Sequence, residues 1–549
     1  MADGGASLSP MHPASRFAAL IAVAAVSSLS AQAHDHGTGR SAEQLGRVTF
    51  PVSCNAEAAK RFERAMALLH SFWWDAGDAA FRGVAEADGA CAMAYWGSAI
   101  NAWGNPFAGG PSGPVLASAG RAAERSAAIG GKTPREAGFI SAVATLYRDH
   151  ATVPNPVRLR AYSDTMARVY RDNPNDVEVA IYYALSLVAT ASPTDTTFAR
   201  QKAAAAILNP LFMRLPQHPG LAHYIIHAND SPRLASLGLD AARRYAQIAP
   251  SAPHAQHMPS HIFVRLGLWE DNIASNQRSF DAGYAFAKAQ GWTGVAYHEF
   301  HALDYMVYGY LQLGQDAAAR RIAVRAESLS AVEGAGNLIA SYNGAALAAR
   351  VALERDDWAS AAKLPVKAGS PISLGAVTRF ARGIGAARSG DTAQARAEAL
   401  AIAAIEASLA GQPGYSWSRV MGIKRRAVEA WLALAAKDTD GALRLAREAA
   451  DMEDVTEKHP VTPGELLPAR ELYADMLLAA GRYANARTAY DATLVREPRR
   501  ARAIFGAARA AQLAGDRAGA RQRYEEFLAQ MKTADGDRAE ITRAREALR

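Results

Sequence analysis

Only two of the 549 residues are cysteine, Cys54 and Cys91. That is too few for a fold built on disulfides or for a four-thiolate metal cluster. Apart from a short stretch near the start, no apolar run approaches the ~18 uncharged residues that a membrane-crossing helix needs. Alternating β-branched runs are almost missing, which removes sandwiches and barrels. There is no G-x-S-x-G, no phosphate-cradling glycine loop and no dinucleotide glycine pattern, so serine hydrolysis and nucleotide handling have no anchor. Neither charge sign dominates. Sixty Lys and Arg face 53 Asp and Glu, a net charge of +7, and the surplus is scattered, densest over Arg487–Arg549. No nucleic-acid partner is expected from so modest an excess. With 21% charged residues and half the chain apolar, neither a polytopic membrane protein nor a disordered chain fits.

The opening residues read as an address. Arg16 precedes an apolar run from Phe17 to Val26, then small residues and Ala31-Gln32-Ala33, the layout of a secretory signal peptide over residues 1–33. Translation starts at Met1 or Met11. Cleavage after Ala33 exposes His34-Asp35-His36, whose α-amine, amides and third-position imidazole suit square-planar Cu(II) or Ni(II). The expected location is a bacterial periplasm or the exterior. In such an oxidising compartment Cys54 and Cys91 are either a disulfide or two buried thiols.

From residue 55 onward the chain is Ala-rich, with apolar residues at i, i+3, i+4 and i+7 between short Gly, Pro or Asp breaks, so helix follows helix. Near the C-terminus Gly481, Ala486 and Tyr490 recur as Gly515, Ala520 and Tyr524, each 34 residues on. The segment from Ala469 to Pro498 runs helix, Gly481-Arg482-Tyr483 turn, second helix, closing proline. This resembles the tetratricopeptide repeat (TPR), strongly over 467–531, well over 216–314 and loosely over 55–215 and 334–460. The resemblance implies an all-α fold, a right-handed α-solenoid whose first helices line a concave face that takes a protein or peptide. Each pair has more apolar surface than it can hide alone, so neighbours stack. The expected organisation is a polar segment (34–54), N-terminal repeats (55–215), central repeats (216–333), degenerate repeats (334–460) and C-terminal repeats (461–549). The Gly/Pro-rich stretch 104–111 reads as a loop at an array edge. The aromatics Phe72, Trp73, Trp74, Tyr95, Trp96 and Trp103 read as packing between repeats.

Seven of the fourteen histidines fall between residues 223 and 301, where an even spread would put about two. They are His223, His227, His254, His257, His261, His298 and His301. His223 and His227 are four apart, on one face of a helix; so are His257 and His261. The two pairs are offset by 34 residues, one repeat period, which places them on equivalent turns of successive helices. With Gly267 and Gly314 as turn glycines, a third helix adds His298 and His301 after an insertion of about 13 residues, relative to the 34-residue period of such repeats. Seven imidazoles crowded together repel one another when protonated, and a divalent cation relieves that directly.

Nitrogen donors without nearby thiolate point to copper, then zinc, with iron third. The carboxylates in reach are Asp230, Glu299 and Asp304, as ligands or as anchors for imidazole N–H groups. No Glu stands three before any of these histidines, so the di-iron Glu-x-x-His pattern is missing, and His298-Glu299-Phe300-His301 is not HExxH. Tyr224, Tyr297, Tyr305 and Tyr308, which flank the cluster, read as helix core. The expected function is an exported solenoid that holds a transition metal in its groove, with metal-dependent oxidation ahead of hydrolysis. The alternative is a protein-docking scaffold without catalysis.

Overall fold

Local chemistry starts and stops each helix of the computed structural model. It describes residues 43–549 except 294, 328–331, 334–336, 367–371 and 413–414, with side chains also left out at 295–299, 327, 332–333, 337–341 and 372–374. Several helix starts are capped by short polar side chains. Asn55 accepts from the amide of Ala58, Asp176 from Val179, Asp391 from Gln394 and Asp516 from Gly519, each satisfying an amide that has no partner inside its helix. The turn glycines Gly267, Gly314, Gly481 and Gly515 all adopt left-handed backbone, φ between 66° and 83°, which glycine reaches without a Cβ penalty.

Residues 44–549 form one compact unit. Helices from Ala56–His70 to Ala539–Ala547 pack in sequence order, each on its neighbour. The fold is an all-α solenoid of TPR-like pairs. The C-terminal repeats show the pattern most clearly: Ala469–Ala479 pairs with Tyr483–Arg496, and Ala501–Leu513 with Arg517–Gln530. The recurring Ala486, Tyr490, Ala520 and Tyr524 are all buried. Among the described residues the one strand pairing is a two-residue parallel pair, Val295–Ala296 with Val332–Glu333. It sits where the repeat spacing stretches: the helix Trp269–Ala289 is 21 residues long and takes up much of the insertion. No helix is long and apolar enough to cross a membrane among the described residues.

The array does not stay open. The C-terminal repeats lie back on the central ones: the Trp269 indole donates to the Arg499 carbonyl, Arg499 donates to the Gly267 carbonyl, and Asp535 accepts from the amides of Ala317 and Ala318. The segment 456–465 is part of this closure, with the Tyr305 hydroxyl 3.2 Å from the Pro460 carbonyl and Glu457 3.2 Å from Arg265. At the other end, Cys54 and Cys91 are joined in a disulfide. They clip the start of the first helix to the start of Ala92–Trp103. The signal-peptide region and His34 and His36 lie outside the described residues.

Candidate metal centre

Two repeat-equivalent helical segments carry the paired imidazoles, Pro219–Asn229 and the run Pro253–His257 with Pro259–Leu266. Each opens on proline, at Pro219 and Pro253, where the missing N–H costs no helix bond. One turn separates the members of each pair, and their Nε2 atoms face each other at 3.1 Å, His223 to His227 and His257 to His261.

A third ring joins each pair. His254 stands beside His223 with ring centroids 5.0 Å apart, and His301, from the helix Tyr297–Gln312, stands 4.4 Å from His257. Within each triad the ligand nitrogens lie within 4.8 Å of one another. The triads adjoin, His254 to His257 at 5.9 Å and His227 to His261 at 6.1 Å. Six of the seven predicted imidazoles are thus brought together as three plus three. The side chains of His298 and Glu299 lie outside the described residues.

Hydrogen bonds on the far side of the rings fix which nitrogen faces inward. His257 Nδ1 donates to Asn276 Oδ1 at 2.7 Å; that oxygen is the acceptor because the Asn276 amide nitrogen is spent on Asn272. His261 Nδ1 donates to Asp230 Oδ2 at 2.8 Å. His223 Nδ1 donates to the main-chain carbonyl of His70 at 2.6 Å. In all three, Nε2 is left as a lone pair directed into the cluster. Anchoring one ring nitrogen in this way is how proteins orient metal-binding histidines. The Tyr305 hydroxyl, 3.4 Å from His261 Nε2, is nearer the Pro460 and Thr462 carbonyls.

The surroundings disfavour protons. His223 is fully buried, and His257 and His261 are 2% exposed. Burial lowers the His223 pKa to about 3, against the pull of its bond to the His70 carbonyl. Burial also lowers His227, reinforced by His223 and His261, and it lowers His261 against the attraction of Asp230. Asp230 stays ionised well below the usual range: burial would raise it, but Lys458, Arg265 and His261 outweigh that. Aromatic rings wall the cluster. Phe72 stacks on His254 and meets His223 edge-on, Phe107 covers His227 at 4.4 Å, and Tyr305 stands against His257.

Several expectations change. The cluster does not line an open groove; the chain's own segment 456–465 lies over it, with Lys458 Nζ 3.7 Å from Asp230. Asp304 neither ligates nor orients an imidazole. It is buried in an ion pair with Arg350, 2.7 Å between Nε and Oδ1, and so is claimed by the helix Asn337–Glu354, and not by the imidazoles. Phe72 forms a wall of the histidine cluster as well as a packing contact. The 104–111 loop delivers Phe107 to His227. Tyr224, Tyr305 and Tyr308 are buried as expected, while the Tyr297 side chain lies outside the described residues.

The structure adds partners that the sequence did not single out. Asn276 and Lys458 are two of them. A further group comprises His70, Glu178 and His218, all buried, with ligand atoms again within 4.8 Å of one another. They come from three distant stretches, so no spacing marks them. The available hints were the Phe72-Trp73-Trp74 run just after His70 and the proline just after His218.

No protein-family model matches the chain, and no curated protein matches it. Among solved structures it is similar to yeast Tom70 at 10% identity, over 89% of this chain and 95% of that one, with a TM-score of 0.28. It is also similar to a monomeric mutant of IFIT1 with Gppp-AAAA at 11% identity, over 87% and 96%, TM-score 0.32. A third is Naa15/Naa10 bound to HypK-THB at 10% identity, over 89% and 73%, TM-score 0.22. Likeness at this level bears on no function.

Proposed function

We propose that this chain is an exported metalloprotein that holds a pair of transition-metal ions, copper ahead of zinc and iron third, in its two three-histidine triads. The observation that carries the reading is the His257–His261 pair. Both Nδ1 atoms are spent as donors, and the two Nε2 lone pairs face each other at 3.1 Å in a buried site. Lone pairs so placed repel unless a cation sits with them. Burial and the nearby Lys458 and Arg265 work against a proton there, whereas a metal ion coordinated by neutral imidazoles meets the need directly.

Three protein ligands leave a coordination position open, the arrangement a catalytic metal requires. Two adjoining three-imidazole sites suit redox chemistry by a metal pair, so oxidation is the activity we infer ahead of hydrolysis. The alternative use, a scaffold that docks a protein or peptide, draws on the TPR-like architecture alone.

The test is elemental analysis and EPR on full-length protein purified without a His-tag and reconstituted with copper. The expected result is about two ions per chain in the paired triads. His257→Ala with His261→Ala should lose metal while far-UV circular dichroism stays helical. A reconstituted wild type without metal, or undiminished metal in the double variant, overturns the reading.

A further inference from the structure

A second cluster lies beside the triads and shares no ligand with them. Glu178 sits in the first turn of Val177–Ala189, 2% exposed. One carboxylate oxygen is 3.0 Å from His70 Nε2 and the other 2.9 Å from His218 Nε2. His70 Nδ1 meets the Tyr224 hydroxyl at 3.1 Å, and Tyr182 packs against the His70 ring at 5.4 Å.

The charge balance of this cluster is unusual. The two buried or nearly buried carboxylates beside the triads each have an Arg or Lys: Asp304 has Arg350, and Asp230 has Arg265 and Lys458. Glu178 is paired instead with the two imidazoles, and they hold it ionised against burial. If both imidazoles are neutral, the core contains an uncompensated anion, which is costly. Protonating one of them is opposed by the same burial, which pushes His70 down.

We propose that His70, Glu178 and His218 form a separate divalent-cation site of the two-imidazole, one-carboxylate type that zinc favours. The cation cancels the buried carboxylate charge and takes both Nε2 atoms as ligands. His70 Nδ1 then carries the proton and donates to the Tyr224 hydroxyl, so that polar contact is kept. Three protein ligands leave a further position for water. The site touches the triads through one bond, His223 Nδ1 to the His70 carbonyl, so loading it stiffens the helix end that orients a triad ligand.

The experiment uses the full-length chain without a His-tag, stripped with chelator and titrated with zinc sulfate alone. The readouts are zinc per chain and anomalous scattering from zinc-soaked crystals. The expected result is an anomalous peak within ligand distance of His70 Nε2, His218 Nε2 and Glu178. In Glu178→Gln that peak and one zinc per chain are lost, while peaks at the triads remain. Should Glu178→Gln fail to fold, the wild-type peak alone decides. Zinc at the triads with no density between His70 and Glu178, or an unchanged zinc count in a folded Glu178→Gln, overturns this site and leaves the paired-triad reading standing. Zinc here with empty triads overturns that reading instead and leaves this one.

Discussion

His223 donates its Nδ1–H to the main-chain carbonyl of His70, 2.6 Å away. The bond joins the C-terminal end of the first helix to the helix Pro219–Asn229, and it holds the His223 ring so that Nε2 faces His227. A carbonyl has no proton to give, so the ring has only one tautomer open to it while neutral. This inner edge of the histidine cluster is therefore set by backbone, which side-chain substitution at residue 70 leaves in place.

Asp230 plays the equivalent role for His261 through a carboxylate, and it also binds Arg265. Asp230→Asn should weaken metal retention about 10- to 100-fold, as for other carboxylates that anchor a ligating imidazole. Competition with a chelator of known affinity measures this. Helicity is expected to persist, with a lower melting temperature because Arg265 and Lys458 lose their shared anion.

The Asp304–Arg350 pair gives the opposite pattern. Both side chains are fully buried, and Arg350 also donates to Thr462 and the Gly464 carbonyl. Asp304→Asn strands a buried guanidinium and should cost about 3–5 kcal/mol in urea denaturation. Metal per chain in the folded fraction should not change. A parallel loss of metal would show that Asp304 serves the centre after all.

Acid should unfold the metal-free chain early. His223, His227 and His261 have lowered pKa values in the fold, so the unfolded chain binds their protons first. Their contribution is intact above the unfolded value near 6.5. It falls as pH drops through 6.5 toward the folded value, about 3 for His223. Each imidazole protonated only in the unfolded chain costs about 1.4 kcal/mol per pH unit in that window. Melting temperature against pH, with and without metal, reads this directly, and the metal-loaded protein should resist to lower pH.

Two turn glycines separate conformational from packing cost. Gly481 has φ of 74° and open space around a would-be Cβ; Gly267 has φ of 66°, and a Cβ there would lie 2.4 Å from the Pro498 carbonyl oxygen. Gly481→Ala should cost about 1–2 kcal/mol from left-handed strain alone. Gly267→Ala should cost about 1–3 kcal/mol more, because rigid backbone must move. Urea midpoints of the two variants test the difference.

Periodicity made the helices readable: Gly481 and Gly515 mark the repeat, and the same 34-residue offset between the two histidine pairs places His223, His227, His257 and His261 on matching turns. His301 was found by extending that frame across the insertion, whereas Asp304, three residues further along the same helix, pairs with Arg350, a partner that no spacing in the sequence marks. His70, Glu178 and His218 were not legible. They meet through packing of the first, middle and central helices, which leaves no local spacing to detect. The lid over the triads was equally invisible, because a linear array says nothing of whether its far repeats fold back.

That fold-back has a consequence for how the molecule comes apart. In a simple repeat array each unit depends on its nearest neighbours, and melting can creep inward from either end. Here Gly267 is pressed against Pro498 and the amides of Ala317 and Ala318 hang on Asp535, so removing the last repeats uncovers the middle of the chain. Clipping the C-terminus at residue 455 would therefore act at a distance, unroofing the imidazoles and exposing them to water. The tail behaves as a clasp.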